Sequence, residues 1–406
     1  MNRSIQSQVD RLLLDQGEYQ PLEYLLQEGR LSYIDYEAWR SGQLEHLDEA
    51  LFGDPEHIRQ QLAEAEDYLQ RRGWEVEPGR YKAWHGARSP SRSQVLRFSA
   101  DRMLNDCFHR HYRKPQNQPQ LDLFTDSPAT SLANGITGAL ADRNPTEARR
   151  LLARLCDVAP DHARLGEFER LTEAAERLDA PVGDISTEFQ YLQGTVTPLA
   201  DSLLGPASRN LLIPLWQRLS LVLQDRPYRA DESELHLSYT ATEAQDWIDA
   251  RRAAEREPDW QSNPVLLMRH ARACERIHEY AAALPSWFTL CWRFPQHAEA
   301  VESSINHELC HQWETFQDLD PVLPVCSFPA WLLLSRPGLI PILPEPTGES
   351  ESARAVYPQS YLTLYRLRRN HARPATGSGE HGMALRARLK EQDPLLFQHF
   401  LSALAT

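Results

Sequence analysis

Long apolar runs, paired cysteines, glycine-rich loops and an excess of positive charge are all missing from this 406-residue chain. No segment has the uncharged apolar length that crosses a bilayer. The N-terminus, MNRSIQSQVDRLLLDQGEYQ, lacks the apolar core of a signal peptide. The six cysteines (Cys107, Cys156, Cys274, Cys291, Cys310 and Cys326) are scattered and form no CxxC pair, which predicts reduced thiols in a cytoplasmic protein with no membrane partner. Only 18 residues are glycine, and neither a P-loop nor a GxGxxG fingerprint occurs, so no phosphate cradle of that kind is expected. GxSxG is absent too, which removes the commonest nucleophile elbow. With 43 basic against 57 acidic residues the net charge is −14, and the chain as a whole has no attraction for nucleic acid or anionic lipid. DNA contact would need a local basic patch or a partner that carries the affinity.

What is present is helix. The length allows two or three domains with a substantial core. Start signals recur: Asp54 before Pro55, Asn144 before Pro145, and NPVLLMRHARACERIHEY opening at Asn263 with Pro264 behind it. Apolar residues then follow at helical spacing, as in Leu151, Leu152, Leu155 and Cys156. The segment SADRMLNDCFHRHYR also reads as a helix, capped by Ser99. Strands are scarce; GWEVEPGRYKAW is the one short hairpin the pattern suggests, and PGLIPILPEP is too proline-rich for a central strand.

Successive helices joined by brief Asn/Asp/Pro turns predict a mainly α fold of stacked helical hairpins, an α-solenoid. ARACERIHEYAAALPSWFTLCWRFPQHAEA resembles a degenerate tetratricopeptide (TPR) unit. Tyr280 and the Ala281–Leu284 run match it, Pro295 closes the second helix, and His278 stands near the usual glycine. No second copy is evident. The expected organisation is an N-terminal helical domain (1–86), a helix with a flexible linker (87–133), a TPR-like repeat domain (134–340) and a C-terminal helical segment (341–406). Polar stretches at 86–94, 114–133 and 372–382 mark the joints.

One linker stretch, KPQNQPQLDLFTDSP from Lys114, holds a hydrophobic knot among polar residues. Gln120-Leu121-Asp122-Leu123-Phe124 resembles the pentapeptide with which bacterial replication and repair proteins dock on the β sliding clamp, and all five positions match. The match spans five residues and implies nothing about the fold of the remainder. Its chemistry is intelligible: a short peptide must recover its ordering entropy from few contacts. Leu123 and Phe124 would each contribute about 1.5–3 kcal/mol on full burial, Leu121 a smaller share. Gln120 fixes register through an amide that donates and accepts, and Asp122 keeps the free segment soluble. The resemblance implies a non-enzymatic adaptor of replication, repair or mobile-element biology, with the helical groove open to another protein. The alternative is that the knot packs internally in a helical-repeat scaffold that does not bind the clamp.

A second pattern points elsewhere. His307-Glu308-Leu309-Cys310-His311 satisfies HExxH, the zincin pattern, in which histidines four apart hold a Zn²⁺ and the glutamate activates its water. Val301, Ile305, Leu309, Trp313 and Phe316 form the expected buried stripe, leaving His307 and His311 on the other side with Ser304 and Glu314. Zinc is thus the alternative cofactor, with His307 and His311 as metal ligands and Glu308 as catalytic base of a metallohydrolase. A catalytic site needs a third protein ligand. The metzincin extension would put glycine at 314 and histidine at 317, where this chain has Glu314 and Gln317. Cys107, His109 and His111 point in different directions if helical, which argues against a shared metal. Two basic clusters, 109–114 and 366–369, read as solvated surfaces, with DNA contact as the alternative role.

Overall fold

A computed structural model of the chain describes residues 3–79, 81–84, 95–114, 128–345, 358–372 and 378–405, and it is mainly helical with little strand. Internal contacts divide it into two units, Met1–Arg226 with Glu243–Asp246, and Pro227–Thr242 with Trp247–Thr406. Among the described residues no helix is long and apolar enough to cross a membrane.

The first unit contains α1 (Arg3–Gln16), α2 (Pro21–Gln27), α3 (Tyr33–Arg40), α4 (Pro55–Arg71) and α5 (Arg102–Phe108). It continues with α6 (Pro128–Ala141), α7 (Pro145–Val158), α8 (Leu165–Glu176), α9 (Ile185–Tyr191), α10 (Thr197–Leu204) and α11 (Ser208–Val222). The expected caps form: Asp54 Oδ1 accepts the Glu56 N–H and Asn144 Oδ1 the Glu147 N–H. A three-stranded antiparallel sheet joins β1 (Glu18–Tyr19), β2 (Glu75–Pro78) and β3 (Arg110–Arg113) in the order β1-β3-β2.

Two sequence expectations change here. The helix expected through Arg113 stops at Phe108, and its cap is Asp101, which accepts from the Met103 and Leu104 N–H groups. Ser99 instead donates to Asp48 and accepts from the Asp101 N–H. Beyond Phe108 the chain becomes strand because Tyr112 is fully buried edge-on to Tyr19, while its neighbours point the other way. The expected hairpin also does not close on itself; its first half pairs with β3, Val76 opposite Tyr112.

A seam of arginines and aromatic rings packs α2 and α3 against α6 and α11. Arg209 pairs with the buried Glu23 and lies over the Tyr33 and Tyr36 rings. Tyr33 Oη donates to Asn210 Oδ1 at 2.8 Å, and Arg143 pairs with Glu37 while stacking on Trp84 at 3.9 Å. Arg40 reaches Asp142 at 3.1 Å. Guanidinium groups suit such a seam because they present several donors and stack on ring faces.

The second unit comprises α12 (Leu237–Glu243) but for its last residue, α13 (Trp247–Arg256), α14 (Pro264–Arg276), α15 (Tyr280–Arg293), α16 (His307–Gln317) and α17 (Phe328–Ser335). It ends with α18 (Gln359–Ala372), α19 (Ser378–Gln392) and α20 (Pro394–Ala405). Its core runs from Leu267 to Phe400 around Trp287, Phe288, Trp313, Phe316 and Phe328. Asn263 caps α14 as expected. Between α14 and α15, His278 adopts a left-handed conformation, φ 61°, where glycine is the least strained residue.

Gly79 beside β2 has no room for a side chain: a Cβ there would lie 2.1 Å from His111 Nε2, which itself sits 3.0 Å from Tyr81 Oη. Gly79→Ala should therefore destabilise the protein by about 1–3 kcal/mol. The cost should shrink in a His111→Ala background, a coupling that a double-mutant cycle of urea midpoints measures.

Candidate functional site

The residues singled out in the sequence fall in two places. Gln120, Leu121, Asp122, Leu123 and Phe124 lie outside the described residues. His307, Glu308 and His311 occupy the first turns of α16, whose position starts from a buried acid on another helix.

Glu275, on α14, is 2% exposed. Its Oε1 accepts from Trp287 Nε1 at 2.8 Å and Ser304 Oγ at 2.5 Å, and its Oε2 accepts from the Ile305 N–H at 3.1 Å. Burial pushes its carboxyl above the ordinary range, against the opposing pull of those donors. Ser304 Oγ then accepts the Asn306 N–H, and Asn306 Oδ1 caps α16 by accepting from the N–H groups of Glu308 and Leu309. The thiol of Cys310 turns back to donate to the Ser304 carbonyl at 3.2 Å. A relay of hydrogen bonds therefore runs from a buried carboxylate on α14 to the HELCH turn.

The stripe of α16 packs as expected: Val301, Leu309, Trp313 and Phe316 are buried and Ile305 is half-buried. Ser304 departs from expectation. Helical spacing puts it with the histidines, yet it is buried, because its hydroxyl serves Glu275. His307 and His311 are exposed, and His311 Nδ1 lies 3.8 Å from Glu314. Among the described residues no cluster of three His, Cys, Asp or Glu side chains is arranged to hold a metal. Glu308 is engaged elsewhere: it forms an ion pair with Arg336, which follows α17, and accepts from Gln312 Nε2 at 3.0 Å.

Glu308 and Gln312 face a groove of about 400 Å³ lined by side chains of α15, α16 and α17 and by the turn after α17. Its apolar walls are Leu284, Leu309, Leu332 and Leu339. Gln312 is 6% exposed, and its Oε1 has no hydrogen-bond partner among the described residues. An unpaired buried carbonyl of this kind costs about 1–3 kcal/mol. Sequence reasoning missed Gln312 and Arg336, although a signal existed. Positions 309, 312, 313 and 316 follow the i, i+3, i+4, i+7 spacing of the buried face, and glutamine occupies the second of them.

Three arginines of the basic clusters are ion-paired. Arg110 reaches Glu66 at 3.2 Å, and Arg113 pairs with Glu18 and, at 3.0 Å, with Glu77. Arg369 pairs with Glu345, and Arg368 donates to the Leu334 carbonyl. Cys107, His109 and His111 are divided between the end of α5 and β3; His109 Nδ1 bonds the Gly79 carbonyl.

Two further arrays resemble acid–histidine–serine chains. His270 lies 2.9 Å from Ser286 Oγ and 3.1 Å from Glu255, with Cys274 Sγ 3.5 Å away. His236 lies 2.8 Å from Ser238 Oγ and 3.2 Å from Glu257. Both serines are buried, which leaves no room for a substrate to meet the hydroxyl, so the arrays tie elements together. All six cysteines are free thiols. No protein-family model matches this chain, and neither a curated protein nor a solved structure matches it.

Burial holds the imidazoles of His236 and His270 below their ordinary pKa, outweighing the neighbouring glutamates. The native state thus binds fewer protons than the unfolded chain as pH falls through about 6.5, and stability is lost in that direction. The urea midpoint should drop between about pH 7.5 and about pH 6. A His236→Gln/His270→Gln variant should show a flatter profile over the same window.

Proposed function

We propose that this protein is a non-enzymatic adaptor that docks on the β sliding clamp through Gln120–Phe124, serving DNA replication, repair or mobile-element biology. The observation that carries this reading is the five-position match itself, set in a polar segment between α5–β3 and α6. Leu123 and Phe124 act as the apolar anchors and Gln120 sets the register. The expected affinity is micromolar, about −8 kcal/mol, suited to a client that shares the clamp with others.

The net charge of −14 fits this division of labour. A client held at the clamp is kept near DNA by the ring and needs little DNA affinity of its own. Pairing of Arg110, Arg113 and Arg369 with carboxylates favours the same view. We read the α14–α15 hairpin, with His278 at the left-handed turn position, as one TPR-like unit of a helical body that receives another protein. The cytoplasm is the compartment this role requires.

A fluorescent peptide spanning residues 115–128, titrated with purified clamp, should bind with a Kd on the order of micromolar to tens of micromolar. Leu123→Ala/Phe124→Ala should abolish that binding. Absence of binding, or binding unchanged by the double substitution, overturns the proposal. The full-length chain carrying the same substitutions should likewise fail to co-elute with the clamp.

A further inference from the structure

A second pocket lies in the first unit, between the end of β2, the segment 95–97 and α5. Its volume is about 490 Å³, within the range of small-ligand sites. Pro78, Val95 and Leu96 form apolar walls, and Arg97, Asn105 and His109 supply the polar lining. The segment that carries the walls is tied to the frame behind it. The Leu96 N–H donates to the Tyr81 carbonyl at 2.9 Å, Val95 bridges to Lys82, and the Arg97 carbonyl accepts from Trp39 Nε1 at 2.9 Å.

Each polar group has its character fixed by the partner it already holds. Asn105 Oδ1 accepts the Phe98 N–H at 2.9 Å, which sets the amide orientation and leaves Nδ2 as a donor. His109 Nδ1 lies 2.9 Å from the Gly79 carbonyl, an acceptor only, so Nδ1 carries the proton and Nε2 keeps its lone pair. Asn105 and His109 are half-buried and Arg97 is exposed, so a ligand reaches all three. Among the described residues Asn105 Nδ2, His109 Nε2 and the Arg97 guanidinium have no hydrogen-bond or ion-pair partner, whereas Arg110 and Arg113 have carboxylates. Two donors, one of them charged, one acceptor and an apolar wall thus line one pocket. We propose that it binds a small organic oxyanion, a carboxylate or a phosphomonoester on an apolar body, with a hydroxyl beside the charge. Arg97 and Asn105 Nδ2 hold the oxyanion, the hydroxyl donates to His109 Nε2, and the body lies on Pro78, Val95 and Leu96. None of these residues belongs to Gln120–Phe124, so this site and clamp docking stand or fall separately.

Calorimetric titration of the full chain at neutral pH tests this with mandelate and phenyl phosphate as ligands. Mandelamide, which is neutral, and inorganic phosphate, which has no apolar body, are the controls. Mandelate or phenyl phosphate should bind saturably with a Kd below about 1 mM, the tighter of the two naming the class of oxyanion. Both controls should bind about tenfold more weakly or not at all. Arg97→Gln should weaken binding about tenfold. Asn105→Asp keeps the acceptor for the Phe98 N–H but replaces the donor with a negative charge, and it should abolish binding. His109→Asn retains an N–H for the Gly79 carbonyl, removes Nε2 and should weaken binding about fivefold. Arg97 is exposed and the other two variants keep their backbone hydrogen bonds, so all three should hold the parent melting temperature. Absence of saturable binding by both anions overturns the proposal. So does mandelamide binding as tightly as mandelate, inorganic phosphate as tightly as phenyl phosphate, or indifference to Arg97→Gln and Asn105→Asp.

Discussion

The second unit is organised around one buried carboxylate. Glu275 holds donors from α15, from Ser304 and from the Ile305 backbone, and it does so where an unpaired charge would be costly. Because every lone-pair direction that matters is occupied, the acid behaves as a fixed joint between two helices and a turn. The start of α16 inherits its geometry. Ser304 is pulled inward, Asn306 is left in position to cap, and α16 starts at a fixed point against Leu284 on α15. The same hydroxyl that satisfies Glu275 also receives the Asn306 N–H, so the cap and the core share one hydrogen-bonded network.

That placement divides α16 into three faces with different work. Leu309, Trp313 and Phe316 enter the aromatic core beside Phe328 and Trp331. His307 and His311 stand in solvent. Between these faces, Glu308 pairs with Arg336 and accepts from Gln312 beside the groove. HExxH is a linear pattern, and it fixes only that the two histidines share a side. What the glutamate does depends on which neighbour reaches it first, and here a guanidinium after α17 and an amide one turn on are its partners.

Local chemistry was the legible part of the fold. Asp54, Asn144 and Asn263 cap the helices they precede because a short polar side chain beside a proline acts within one turn and needs no tertiary information. The apolar stripe of α16 was readable for the same reason. β3 was not: Arg110–Arg113 becomes strand only because Tyr112 finds Tyr19 and Val76 on segments far away in sequence. Ser99 likewise looked like a cap, but its hydroxyl is committed to Asp48. At the groove, glutamine at an apolar-stripe position was a visible sign of a polar floor, while Arg336 as its companion required the fold. Gln120–Phe124 is the opposite case: the proposal for it rests on residue types alone, because peptide recognition depends on side chains and little on the body that carries them.

The distribution of charge bears on how such a body works. Among the described residues many arginines are paired: with Glu23, Glu37 and Asp142 in the aromatic seam, and with Glu18, Glu66 and Glu77 around β3. Pairs of that kind set geometry and partner choice more than they add stability, since desolvation offsets most of the Coulomb gain. An excess of acid over base then keeps the surface from binding nucleic acid indiscriminately. On the clamp-docking proposal, such a body would gain its place from one short peptide contact and not from its surface charge. A micromolar contact of that kind would also be reversible, as sharing one ring among several clients requires.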